Sequence, residues 1–219
     1  MTAALFLAIV AFLPPPARAQ SIPVPAPKIF PGIVIDLKTQ DHWTLKAKYL
    51  PAKEGRRTFL LLHGTGGRKE DWYYFVHGLS RRGYGYLAVD LRGHGESRTS
   101  PDGQPVAWRK FKVSKIYNEF ANMAADVETA IAYLTAQATP EESIGIIGAD
   151  VGASLGLKYA AVHSKISMVV MLSPGMKYQE ITTVNAMRAY KDRPILMVHS
   201  EADKTSARET PILYEFAKR

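Results

Sequence analysis

Residues 148–156 read Gly148-Ala149-Asp150-Val151-Gly152-Ala153-Ser154-Leu155-Gly156, and their frame decides the fold. The apolar run SIGII (143–147) precedes them and the helical run LKYAAVH (157–163) follows. A strand, a sharp glycine-rich turn and a helix can be laid over this stretch in two ways. In the first, SIGII is the strand, Gly148 and Gly152 flank Asp150, and a helix begins near Val151. In the second, Ser154 is central and GADVG must be strand, where Gly and Asp are poor formers, so SIGII loses its role. The first frame is the consistent one. It puts Asp150 on the turn and leaves Ser154 one helical turn further on, as a small packing residue. Small residues two places either side of the turn are needed because strand and helix backbones nearly touch there.

Outward from this stretch the chain alternates strands and helices. On the N-terminal side IVIDL and WTLKAKYL flank TQDH and read as a β-hairpin. TFLLL (58–62) is a continuous apolar strand ending in HGTGG. DWYYFVHGLSRRG is a helix with Asp71 as N-cap and Gly83 as its stop. YGYLAVDLR is a strand, and a long polar loop runs from Gly93 to about Ser114. Phe120, Met123, Val127, Ile131 and Leu134 recur at helical spacing and predict an amphipathic helix over 117–136. Beyond the central stretch, ISMVVMLSP and PILMVHS are strands, while ITTVNAMRAY and ETPILYEFAKR are helices. Uniformly apolar strands between helices predict an α/β fold, a mostly parallel sheet with helices on both faces. Functional loops then sit at the carboxyl ends of the strands.

The 219 residues are enough for one domain, with 47% hydrophobic and 22% charged residues. The formal net charge is +8. Part of it lies in Arg109, Lys110, Lys112 and Lys115, which read as a solvated basic loop; no nucleic-acid motif accompanies them, so no nucleic-acid partner is expected. The absence of Cys excludes disulfides, zinc-thiolate sites and thiol nucleophiles. No metal-ligating cluster and no dinucleotide fingerprint occurs, so neither metal nor cofactor is expected. The apolar run Ala4 to Leu13, then PPP, then Ala17-Arg18-Ala19 has the form of a secretory signal peptide over residues 1–19, cleaved after Ala19. The run is too short for a membrane span, so no stable membrane insertion is expected after cleavage. The mature protein is expected to be secreted or periplasmic. Residues 20–32 hold four prolines and read as an extended linker, leaving 33–219 as the domain.

The ordered strand ends LLHGTGG, DLRGHGES, the Gly148–Gly152 turn and HSEAD together resemble the α/β-hydrolase superfamily, in its dienelactone-hydrolase-like and esterase-like branch without a large cap. The resemblance covers roughly Ile33 to Arg219. It implies the α/β-hydrolase fold, a small-molecule substrate and carboxylic-ester-type hydrolysis. It places Asp150 at the nucleophile position, normally Ser in G-x-S-x-G. It assigns the oxyanion-hole donors to the backbone N–H groups of Thr65 and Val151, with Gly64, Gly148 and Gly152 supporting loop and elbow. It makes Asp203 the triad acid, and it implies a catalytic His on a loop after one more strand. No His follows Asp203, so the chain is expected to be truncated at its C-terminus, with the last strand and His loop missing, about 25–40 residues by usual element lengths. His63, His94 and His199 read as structural.

Aspartate at the nucleophile position changes the chemistry. Carboxylate attack on an ester carbonyl gives an anhydride, no easier to form than the ester was. Attack on a saturated carbon, as in an alkyl halide or epoxide, gives an alkyl ester that water can open. Superfamily members with that mechanism usually carry Trp after the Asp and a helical cap. Here Val151 follows, and only residues 175–193 are free to form one. Three readings follow: an esterase-like hydrolase whose Ser has become Asp, an Asp-nucleophile hydrolase, and a non-catalytic binding protein or degenerate fragment. Oligomeric state is not readable.

Overall fold

The computed structural model describes residues 29–114 and 116–218. The expected signal segment and most of the proline-rich linker therefore lie outside the described residues. The chain forms β1 (Ile33–Lys38), β2 (Thr44–Leu50), β3 (Thr58–Leu62), α1 (Tyr73–Arg81), β4 (Gly85–Val89), α2 (Ala124–Ala136), β5 (Ile144–Ala149), α3 (Val151–Val162) and β6 (Met168–Leu172). A small hairpin follows, β7 (Lys177–Tyr178) and β8 (Ile181–Thr182), then α4 (Val184–Tyr190), β9 (Ile195–Val198) and α5 (Lys204–Ala217). The main sheet has seven strands in the order β1-β2-β4-β3-β5-β6-β9. The N-terminal pair β1–β2 is antiparallel, β2 meets β4 antiparallel, and the remaining pairs are parallel. This is the expected architecture, and its parallel part brings the loops after β3, β4, β5, β6 and β9 to one edge.

The period-two alternation of each strand divides the core. Leu60, Leu62, Leu87 and Val89 face a layer built from α2, α3 and α4. Phe59, Leu61, Tyr86 and Ala88 face α1 through Trp72, Val76 and Leu79. On the α1 side the sheet is incompletely covered at β9, its edge strand, where Leu196 and Val198 are 53% and 44% exposed.

Several boundaries differ from the sequence expectation, each for a local reason. The helix expected over 117–136 has its apolar stripe buried as predicted, but its α-helical part starts at Ala124. The Asn118 side chain accepts hydrogen bonds from the N–H groups of Phe120 and Ala121, which fixes a turn first. Asp71 caps a preceding 3-10 turn by accepting from Arg68 N–H, and α1 proper begins at Tyr73. Gly83, at φ +78°, ends that helix as expected. Residues 181–182 are strand rather than helix. The domain also begins before Ile33. Phe30 is 9% exposed, stacks on Tyr86 with centroids 6.0 Å apart, and the Tyr86 hydroxyl donates to Pro31 O. The end of the linker is thus anchored in the core.

Candidate functional site

Asp150 is the single residue between β5 and α3, with φ 52° and ψ −114°. That conformation is strained for any residue with a Cβ. The neighbouring glycines explain how the turn closes. A Cβ on Gly148 would lie 2.4 Å from Gly152 C, and one on Gly152 would lie 2.5 Å from Leu62 O. A Cβ on Gly64 would stand 3.1 Å from the Asp150 Cβ, so the loop after β3 comes against the Asp150 side chain. Ser154 is fully buried inside α3; its N–H and hydroxyl turn back to Asp150 O at 3.2 and 3.4 Å. It has no access to the sheet edge.

The Asp150 carboxylate is half-buried, and Oδ2 accepts a hydrogen bond from Thr65 N–H at 3.1 Å. Burial raises its pKa above the ordinary carboxylate range, while the Thr65 N–H bond and the nearby Tyr178 hydroxyl and Val151 N–H pull it back. Among the described residues no cation lies within ion-pair distance of it. Thr65 Oγ1 is buried and lacks a hydrogen-bond partner; the Tyr178 hydroxyl is close but outside hydrogen-bond geometry.

Tyr178 is the site residue that sequence reasoning missed. It stands on β7, and its hairpin turns through Gln179 and Glu180, both at positive φ (46° and 61°). Thr183 closes the base of the hairpin, its hydroxyl donating to Gly175 O at 2.7 Å. Asn118 Nδ2 donates to Gln179 O at 2.7 Å and ties the hairpin to the segment before α2. On the opposite side, Trp108 from the long loop packs on Gly66 and stacks on His94 with ring centroids 5.7 Å apart. A polar cleft of about 440 Å³ opens beside this loop, lined by Gly66, Gly67, Glu70, Asp71, Glu96 and Arg98 among others, and not by Asp150.

The histidines near the site are engaged elsewhere. His63 Nδ1 meets Gly64 O at 2.7 Å and Nε2 accepts from Leu91 N–H at 3.0 Å. With Nε2 an acceptor, the ring is neutral, and burial lowers its pKa. His94 Nδ1 meets Arg92 O at 2.9 Å, and burial pushes its pKa down to about 4. His199 is exposed. Asp203 lies after β9 at the same sheet edge and N-caps α5, accepting from Ser206 N–H at 3.1 Å.

A family model described as the alpha/beta hydrolase fold matches residues 57–202. The chain is 25% identical over 139 residues to the AB hydrolase superfamily protein YisY of Bacillus subtilis; the match covers 63% of this chain and 44% of that protein, so the chain spans under half of its relative's length. The Pyrococcus furiosus esterase Pf2001 superposes with a TM-score of 0.65 at 19% identity, covering 86% of this chain and 77% of the other. A dienelactone hydrolase from Anabaena variabilis superposes with a TM-score of 0.63 at 16% identity, covering 84% and 80%. At such identities these structures speak for the fold alone. The matched span takes in the strand ends after β3, β4, β5 and β9 together, and the chain belongs to the α/β-hydrolase family.

Proposed function

We propose that the elbow of this α/β-hydrolase holds a small molecule and does not carry out serine-type ester hydrolysis. One hydrogen bond supports the absence of serine-type hydrolysis: Thr65 N–H donates to Asp150 Oδ2. The N–H group that the family resemblance assigns to a developing oxyanion is taken by the protein's own carboxylate. An acyl substrate would bring its carbonyl oxygen to a donor already in use, beside a like charge. Loss of one such donor alone slows acyl transfer by about 10²–10³-fold. The test is hydrolysis of short p-nitrophenyl esters by the purified chain, with a rate equal to buffer expected. Turnover well above buffer, abolished by a serine-directed fluorophosphonate, would overturn the reading and point to Ser154.

A second reading draws on the same hydrogen bond. One carboxylate oxygen is held and the other is left for attack on a saturated carbon. In the alkyl ester so formed, the carbonyl oxygen would lie against Thr65 N–H, where water attack develops charge. The nearby Tyr178 hydroxyl could protonate an epoxide oxygen as its C–O bond breaks. Intact-mass measurement after incubation with alkyl halides and epoxides separates the two readings. A covalent increment on Asp150 supports the second; none across the panel supports the first. Export belongs to the same proposal, and N-terminal sequencing of the secreted or periplasmic chain should begin at Gln20.

A further inference from the structure

The segment between the Trp108 turn and α2 is built to hold apolar side chains out into solvent. Phe111 and Phe120 meet edge to face with centroids 5.2 Å apart, and Phe120 is 2% exposed, so the base of the segment is rooted in the core. Above that base Val113 bridges Asn118 in antiparallel fashion, and Glu119 N–H donates to Lys112 O at 3.1 Å. The tip is closed by Ser114: its N–H donates to Tyr117 O at 2.8 Å, and its hydroxyl accepts from Tyr117 N–H at 3.0 Å. This bonded turn leaves Ile116 99% exposed, Tyr117 52% and Val113 38%.

A single exposed isoleucine needs no explanation. Here Ile116 stands out fully from an anchored turn that also leaves Val113 and Tyr117 partly exposed, and Arg109, Lys110 and Lys112 stand exposed on the same segment. Arg109 lies over the Trp108 ring at 4.5 Å; Lys110 and Lys112 form no ion pair among the described residues. The acidic groups nearby are Glu119, which accepts from Lys112 N–H, and Asp41, which lines a cleft with Phe111, Tyr117 and Glu119 and is paired with Arg92.

We propose that this tip is a peripheral docking surface for an anionic lipid bilayer, made by Ile116, Val113 and Tyr117 with Lys110, Lys112 and Arg109. The cations supply attraction to anionic headgroups, and the apolar tip enters the headgroup layer. A short turn led by an aliphatic side chain, Ile116, fits a fluid surface; nucleic acid would call for a basic groove lined by successive stacking rings, and this turn carries one, Tyr117. No helix among the described residues is long and apolar enough to cross a membrane. The inference is independent of what Asp150 does.

The chain has no native Cys, so a single environment-sensitive fluorophore can be placed on the full chain as Ile116→Cys, with Tyr74→Cys on α1, across the sheet from α2, as the exposed control. Vesicles of phosphatidylglycerol and phosphatidylcholine should shift the Ile116 probe to the blue and leave the Tyr74 probe unchanged. Pure phosphatidylcholine vesicles and high salt should give no shift. Lys110→Gln and Lys112→Gln should each weaken apparent affinity about fivefold. A silent Ile116 probe would overturn the proposal, including when vesicles bind through another part of the chain. A larger response to a DNA oligonucleotide than to anionic vesicles would overturn it as well.

Discussion

Asp126 and Asp150 both hold a carboxylate inside the protein, and they are held in opposite ways. Asp126 is fully buried on α2 and grips Arg92 twice, accepting from the backbone N–H at 2.8 Å and from Nε at 2.7 Å. The same guanidinium reaches Asp41, so one ion cluster clamps the β1–β2 turn, the loop after β4 and α2 together. Asp150 is only half-buried, accepts from the Thr65 backbone N–H with the Tyr178 hydroxyl nearby, and lacks a cation among the described residues. A carboxylate that serves the fold comes with its counter-charge. One kept uncompensated, on strained backbone, at the edge where the family places its chemistry, is what the proposed role of Asp150 rests on.

The sharpest way to break the comparison is Asp126→Ala. It leaves the Arg92 guanidinium buried with half its partners and should cost about 3–5 kcal/mol, lowering the melting temperature by roughly 10 °C in a calorimetric scan. Asp150→Gly should move the other way. It removes the positive-φ strain and the uncompensated carboxylate and should raise stability by about 1 kcal/mol in urea titration. A loss there instead would make Asp150 structural. Asp150→Asn separates charge from shape. Because burial raises the folded-state pKa of Asp150, its charge penalty is absent where both states are protonated, below the ordinary carboxylate value of about 4. The penalty grows as pH rises through the folded value. The Asn variant should therefore gain on the wild type as pH increases from 4 to 8, read as a widening difference in melting temperature. Ser154→Ala should change stability by about 0.5 kcal/mol or less, since its one weak contact is to the backbone of its own helix.

What could be read from the sequence follows the same division. The strands Thr58–Leu62 and Ile144–Ala149 were legible because burial on both faces forces continuous apolar runs. The frame at Asp150 was legible because Gly148 and Gly152 have no tolerable substitute at that crossing. Tyr178 was not legible. A two-residue hairpin turn normally announces itself with Gly or Asn, whereas Gln179 and Glu180 take positive φ without being built for it. The late start of α2 was hidden because Phe120 and Met123 keep the helical spacing through a 3-10 turn. Asp203 shows a different limit. A capping Asp and a triad Asp occupy the same place after a strand, and only its bond to Ser206 N–H reveals the capping role.

Phe30 has a consequence at the bench. Expression designs that begin the domain at Ile33, where the first strand starts, would strip the aromatic ring from Tyr86 and Tyr73 and leave the Tyr86 hydroxyl without Pro31 O. They would also open an apolar patch beside α1. A start at Gln20 keeps the ring in place and leaves proline-rich chain, rather than core, at the cut end.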